Sequence, residues 1–202
     1  MQKVSIIIPV VREDIVHKCV DAIVENVGIP ESQYELLIAY DRNLIGCPKM
    51  IDKLVQKSKH DLVCFLGDDT IPEKDFLKIA LEKMEELPGG WGLVGLNTEG
   101  GNDHAHWLAD KQLLKHTEDG CFFALEYEHC FCDDELKDIA VELDRWVFAE
   151  DAKVKHAHPI FKTAEPDEFH KRAYGNTASR DSKYQRDHVR YCRRKIDRTL
   201  DN

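Results

Sequence analysis

No apolar run in this sequence approaches 18 residues, so no segment reads as a membrane-spanning helix. The start, Met-Gln-Lys-Val-Ser-Ile-Ile-Ile-Pro, offers only five or six apolar residues closed by Pro9, which reads as a strand and not as a signal peptide. Paired cysteines are lacking too. The seven cysteines (19, 47, 64, 121, 130, 132, 192) are odd in number and scattered, and several sit inside apolar runs. That pattern speaks for reduced core thiols and a cytoplasmic protein, not for a disulfide framework. Cys130 and Cys132 have no second pair with which to build a zinc site. Positive charge is scarce over most of the chain: residues 1–166 carry 18 Lys/Arg against 32 Asp/Glu. Such an acidic body argues against general nucleic-acid binding. Both common phosphate-binding glycine loops are missing as well. After the first apolar run the chain reads Pro9-Val10-Val11-Arg12-Glu13-Asp14, without G-x-G-x-x-G, and G-x-x-x-x-G-K-[ST] occurs nowhere.

What is present is a soluble composition, 43% hydrophobic and 33% charged over 202 residues, enough for one sizeable core with or without a trailing extension. Val4 to Ile8 is a β-branched run suited to a buried parallel strand. From Asp14, Val16, Val20, Ile23, Val24 and Val27 recur at helical spacing until Gly28-Ile29-Pro30 stops them. Tyr34 to Tyr40 predicts a second strand and Pro48 to Lys59 a second helix. Leu62 to Leu66 predicts a third strand, followed by a helix with Phe76, Leu77, Ala80, Leu81, Met84 and Leu87 inward. Pro88-Gly89-Gly90 breaks it before a fourth strand, Trp91 to Leu96. This β-α-β-α-β-α-β order predicts an α/β fold, a mostly parallel sheet with helices on both faces. The second half is less regular. It predicts a glycine-rich loop at Thr98 to Asn102, a short strand at Cys121 to Glu126 and a helix at Asp134 to Leu143. A strand at Ala152 to Pro159 follows, with Val154, His156 and His158 on one face.

The most informative stretch is Asp61-Leu-Val-Cys-Phe-Leu-Gly-Asp-Asp-Thr-Ile-Pro72. Its apolar run ends in two adjacent carboxylates, Asp68 and Asp69. A buried strand delivering acids to its C-terminal edge puts them where open α/β sheets bind ligands. Acids there suit a hard divalent cation, Mn2+ or Mg2+, and such a cation suits a diphosphate. The plainer reading is an Asp capping the helix expected from about Pro72. His156 and His158, two residues apart on one strand face, offer imidazole ligands to the same kind of metal. Three adjacent acids, Asp133, Asp134 and Glu135, are also what a helix N-terminus favours electrostatically.

Val4-Ser-Ile-Ile-Ile-Pro-Val10, Leu36-Leu-Ile-Ala-Tyr-Asp41 and Cys64-Phe-Leu-Gly-Asp-Asp-Thr-Ile-Pro72 together resemble glycosyltransferase family 2 and its GT-A fold. The resemblance continues through His129-Cys-Phe-Cys-Asp-Asp-Glu-Leu136 and Val154-Lys-His-Ala-His-Pro159, covering about residues 3 to 160. It implies a metal-dependent inverting glycosyltransferase that takes a sugar from a nucleotide-sugar donor, a UDP-sugar, to the hydroxyl of an unspecified glycan, lipid or other acceptor. By that resemblance Asp69 contacts the metal, with His156 or His158 completing the site, and Asp68 serves the ribose or a metal-bound water. Asp41 accepts a hydrogen bond from the nucleobase, although it could equally be a turn-forming Asp. Pro9, Val10, Val11 and Arg12 line the nucleoside pocket, mainly through backbone and shape. Asp133 is the base, with Asp134 as its alternative. One departure stands out: the family's Asp-x-Asp is here Gly67-Asp68-Asp69, so its first acid is missing or the register is shifted by one.

His104 and His106 are expected to line the acceptor side or to be merely exposed, and Trp107 to stack on a sugar or to pack. The expected organisation is one GT-A domain, 1–166, with a nucleotide-binding half (1–97) and an acceptor half (98–166). A helical extension, 167–202, follows; it carries ten Lys/Arg against six Asp/Glu. In that extension Tyr184, His188, Tyr191, Cys192 and Ile196 fall at helical spacing and predict an amphipathic helix laid on the body. The rival reading is a catalytically inactive GT-A-like protein that binds a nucleotide-sugar or a metal.

Overall fold

In the computed structural model, which describes residues 2–98, 101–157, 159, 163–165, 171, 179 and 182–200, the first strand, β1 (Val4–Val10), is central and buried on both faces. Strand alternation sends Val4, Ile6, Ile8 and Val10 to one face and Ile7 to the other. The first set packs with Cys19 and Ile23 of α1 (Val16–Asn26) and with Phe76, Leu77, Ala80 and Met84 of α3 (Phe76–Glu86). Ile7 packs with Ile51, Leu54 and Val55 of α2 (Cys47–Lys57) and Leu136 and Ala140 of α4 (Cys132–Glu142). A sheet covered on both faces is why these strands read as unbroken apolar runs. Each large side chain so buried is worth roughly 1.5–3 kcal/mol.

The remaining strands are β2 (Tyr34–Tyr40), β3 (Leu62–Phe65), β4 (Thr70–Pro72), β5 (Leu93–Thr98), β6 (Trp107–Asp110) and β7 (Trp146–His156). Among the described residues they form one sheet in the order β2-β1-β3-β6-β5-β7-β4. β1 is parallel to β2 and β3, and β5 to β7, whereas β6 is antiparallel to both its neighbours and β4 antiparallel to β7. The sheet is therefore mixed, with most strands running one way, and the expected α/β fold with helices on both faces is present.

Several local expectations need correction. The helix expected from about Pro72 begins at Phe76, because Thr70–Pro72 first pairs with β7. Cys121 to Glu126 is not a strand. Phe122, Phe123 and Ala124 are buried loop residues that fill the core under Trp107, so their apolarity reflects packing and not pairing. β6 was not expected. Its four residues are all buried and lack the alternation that marks a strand with one wet face.

The C-terminal helix, α5 (Lys183–Leu200), forms, and the predicted apolar face is present only in part: Tyr184 and Tyr191 pack on Phe131. His188, Cys192 and Ile196 are exposed, whereas Asp187 and Arg194 are buried. α5 docks largely by charge. Arg194 Nε reaches both oxygens of the buried Glu135 at 2.9 and 3.0 Å, and its Nη1 lies 2.9 Å from Glu126. Arg186 bonds Glu128 and Lys195 bonds Asp138. The basic extension thus neutralises acids of α4 and of the loop before it. Among the described residues no helix is long and apolar enough to cross a membrane.

Candidate active site

The parallel strands β1, β2 and β3 end along one edge of the sheet, and their following loops meet there. Together with residues before α4 and at the ends of β7 and α5 they line a cleft of about 890 Å³. Pro9, Val11, Arg12, Asp41, Asp68 and Asp69 all face it, and so do Asp133, Asp134 and His156. Val10 does not: its side chain lies in the core, because β1 alternation turns it inward. His158 lies outside the described residues.

Arg12 ties the acidic edge together. Its Nε and Nη2 donate to Oδ1 of Asp68 at 2.9 and 2.6 Å, and its Nη1 lies 2.9 Å from Oδ2 of Asp69. The other oxygen of Asp68 accepts from the backbone N–H of Val11 and of Arg12, both at 2.8 Å. Asp68 therefore fastens the loop after β1 to the loop after β3. Burial nevertheless pushes its carboxyl above the usual range, against the pull of Arg12.

Asp69 behaves differently. Burial raises its pKa, but the hydrogen bond and charge of His156 and the charge of Arg12 outweigh it, leaving the carboxyl well below the usual range. His156 Nε2 sits 3.2 Å from Asp69 Oδ2. The His156 ring meets that of the buried His106 edge-on, with centroids 4.9 Å apart, and His106 Nδ1 pairs with Thr98 Oγ1 at 3.0 Å. An ionised carboxylate beside an imidazole is a donor set that a divalent cation accepts, so Asp69 and His156 fit the expected metal.

Gly67 explains the departure in the acidic motif. A Cβ there would lie 2.9 Å from Asp69 Oδ1 and 3.2 Å from His106 Nε2. A side chain at 67 and the present setting of Asp69 exclude one another. Asp41 uses both oxygens to accept from the backbone N–H of Ile45 and Gly46, each at 2.9 Å, so it holds its turn while facing the cleft.

Across the cleft, Asp133 and Asp134 open α4. Burial and the neighbouring charge of Asp134 push Asp133 up to about 6, and the charge of His104 pulls the other way. His104 is half-buried between acids, with Nδ1 2.6 Å from Asp103 and Nε2 3.4 Å from Asp134. Burial lowers its pKa, but the bonds to Asp134 and Asp103 and the charge of Asp133 raise it to about 9, so it is an imidazolium at neutral pH. Lys137 Nζ holds both Asp103 oxygens at 2.7 Å. The ligand atoms of His104, Asp133 and Asp134 lie within 4.8 Å of one another. Gly95 makes this arrangement possible, since a Cβ on it would fall on the Asp103 carbonyl.

Sequence reasoning missed the grip of Arg12 on both acids; His104 and His106, expected to line the acceptor side or to be exposed, both line the cleft, His106 buried and His104 half-buried. Trp107 is wholly buried against Phe122 and Phe123, so it packs and cannot stack on a sugar.

No protein-family model and no curated protein matches the sequence. Solved structures do match. A 1–349 portion of TarS from S. aureus superposes with a TM-score of 0.61 at 14% identity, covering 89% of this chain and 73% of that one. The same portion in complex with UDP-GlcNAc gives 0.63 at 13% identity, covering 84% and 60%. The mannosyltransferase PcManGT from Pyrobaculum calidifontis, in complex with GDP-Man and Mn2+, gives 0.60 at 14% identity, covering 77% and 56%. Against a longer TarS structure this chain spans 44% of that chain's length. The chain has the fold of these glycosyltransferases, that is, a GT-A-like fold.

Proposed function

We propose that the chain is a metal-dependent inverting glycosyltransferase that moves a sugar from a nucleotide-sugar, a UDP-sugar, to an acceptor hydroxyl. One observation carries this reading. Two carboxylates of one cleft have been driven apart in acidity, Asp69 down beside His156 and Arg12, and Asp133 up to about 6. Such separation is how two acids of one site acquire different tasks. Asp69 is fully ionised near neutral pH and suited to a cation, whereas Asp133 can take up a proton.

In this reading Asp133 accepts the acceptor hydroxyl proton as the O–H bond breaks. The oxygen forms a bond to the anomeric carbon while the bond from that carbon to the diphosphate breaks, and the nucleoside diphosphate leaves with the electron pair. Attack from the face opposite the leaving group inverts the carbon. Asp69 and His156, with His158 as a further candidate, would hold Mn2+ or Mg2+. The ion, when bound, supplies positive charge against the departing diphosphate. Arg12 adds a fixed cation on the same side, and Asp41 with Pro9 and Val11 offers a pocket for uracil. The nucleotide-binding half is then 1–97 and the acceptor half 98–166, with 167–202 as an extension. Support from outside the chain is that fold neighbours carry UDP-GlcNAc, or GDP-Man with Mn2+.

One observation favours a binding-only protein. The Asp68 oxygens are taken up by Arg12 and two backbone N–H groups, and Gly67 removes the acid before them. Manganese-dependent release of UDP from a panel of UDP-sugars separates the two. The transferase reading expects slow release from at least one donor. UDP binding without release from any donor would leave the binder.

A further inference from the structure

We infer that Asp187 of α5 is a positioning residue for Asp133, which makes the C-terminal helix part of the catalytic apparatus. The inference rests on the transferase reading above. Asp187 is wholly buried. Its Oδ2 accepts from the backbone N–H of Glu128, His129 and Cys130 at 3.2, 2.8 and 2.9 Å, and its Oδ1 also receives Glu128 N–H at 3.0 Å. Arg190, one turn on, braces that carboxylate at 2.6 Å and reaches Glu128 as well. Three successive N–H groups turned onto one anion form a nest, and a buried carboxylate so held is a costly feature to keep for docking alone.

The next residue, Phe131, has φ +63°, a left-handed conformation costing about 1–3 kcal/mol for a bulky side chain. Its ring packs against Tyr184, His188 and Tyr191, all from α5, with centroids 4.9, 5.2 and 5.7 Å away. Two residues later comes Asp133. The backbone that aims Asp133 into the cleft is thus set by one α5 carboxylate and one α5 aromatic cluster. The Asp187 carboxylate bonds Glu128, His129, Cys130 and Arg190 and none of Arg12, Asp68 or Asp69, so its loss bears first on the segment that carries Asp133, although Tyr184 of the aromatic cluster lines the cleft itself.

Asp187→Asn keeps the side-chain size but turns an amide N–H2 or a single neutral oxygen onto the nest. In the full chain it should lower kcat by about 10²-fold, the effect of an ångström-scale misplacement. Donor KM and the thermal stabilisation by UDP with manganese should stay unchanged, while amides 128–133 exchange faster with deuterium. Arg190→Met, which keeps Asp187, should act in the same direction more weakly and serves if Asp187→Asn does not fold. Val189→Ala, on the exposed face, should leave kcat unaltered. A folded Asp187→Asn or Arg190→Met with unchanged kcat overturns the inference, and so does a loss of kcat that comes with loss of UDP binding. UDP binding by the parent chain without any turnover overturns the transferase reading instead, and removes the base that Asp187 would position.

Discussion

His156 Nε2 lies 3.2 Å from Asp69 Oδ2, joining the last residue of β7 to the acidic loop after β3. The contact helps hold Asp69 well below the usual carboxylate range. His156→Ala should therefore weaken manganese-dependent UDP binding by at least about 10-fold, ~1.4 kcal/mol. Thermal unfolding with and without UDP and manganese reads this as a smaller shift. An undiminished shift would remove His156 from the metal set.

Arg12 grips two buried acids, and breaking a buried pair by removing one partner costs about 3–5 kcal/mol. Arg12→Ala should lose stability on that order in urea unfolding. Arg12→Lys should recover little, because a single ammonium cannot fork across Asp68 and Asp69.

Restoring the missing acid should harm the site. Gly67→Asp brings a Cβ against Asp69 Oδ1 and His106 Nε2, so the acidic loop must shift. UDP and manganese should stabilise this variant less than the parent; greater stabilisation would contradict the steric account.

The charge of His104 pulls the pKa of Asp133 down, while burial and Asp134 hold it up at about 6. Removing the imidazolium in His104→Gln should push Asp133 above 6, so the acid limb of the kcat–pH profile moves to higher pH. An unmoved limb would separate His104 from the base.

The same histidine gives stability a pH dependence. Its folded pKa, about 9, exceeds its ordinary 6.5. The stabilisation is fully present below about 6.5 and is lost as pH rises through 9. Urea unfolding at these two ends should show the parent losing stability that His104→Gln does not lose.

Much of the first hundred residues was legible because local and tertiary demands agree there. Tyr34–Tyr40 pairs along its whole length with β1, and the apolar spacing of Phe76, Leu77, Ala80 and Met84 is the face that packs. The second half was less legible because its apolar residues serve packing without periodicity. Phe122 and Phe123 read as a strand and form a loop, while Trp107, open from the sequence to stacking or packing, packs in the core. In α5 the apolar spacing was only partly informative: Tyr184 and Tyr191 pack on Phe131 as part of that face, but the buried positions are Asp187 and Arg194, matched to partners 57 and 59 residues away.

By itself the sequence determined the βα alternation, the acids Asp68 and Asp69 at the end of an apolar run, and the acidic start of α4. All of these are written in periodicities of a few residues. Only the tertiary structure decided which acid is ionised beside His156 and which is raised beside Asp134. It alone brought Arg12 onto both carboxylates, set the Asp69 and His106 side chains close against Gly67, and turned Asp187 onto the segment before Asp133. The reason is physical. A carboxyl's acidity and task depend on burial and on charges a few ångströms away, and for Asp68 and Asp69 those neighbours, Arg12 and His156, come from residues 50 to 90 positions distant along the chain.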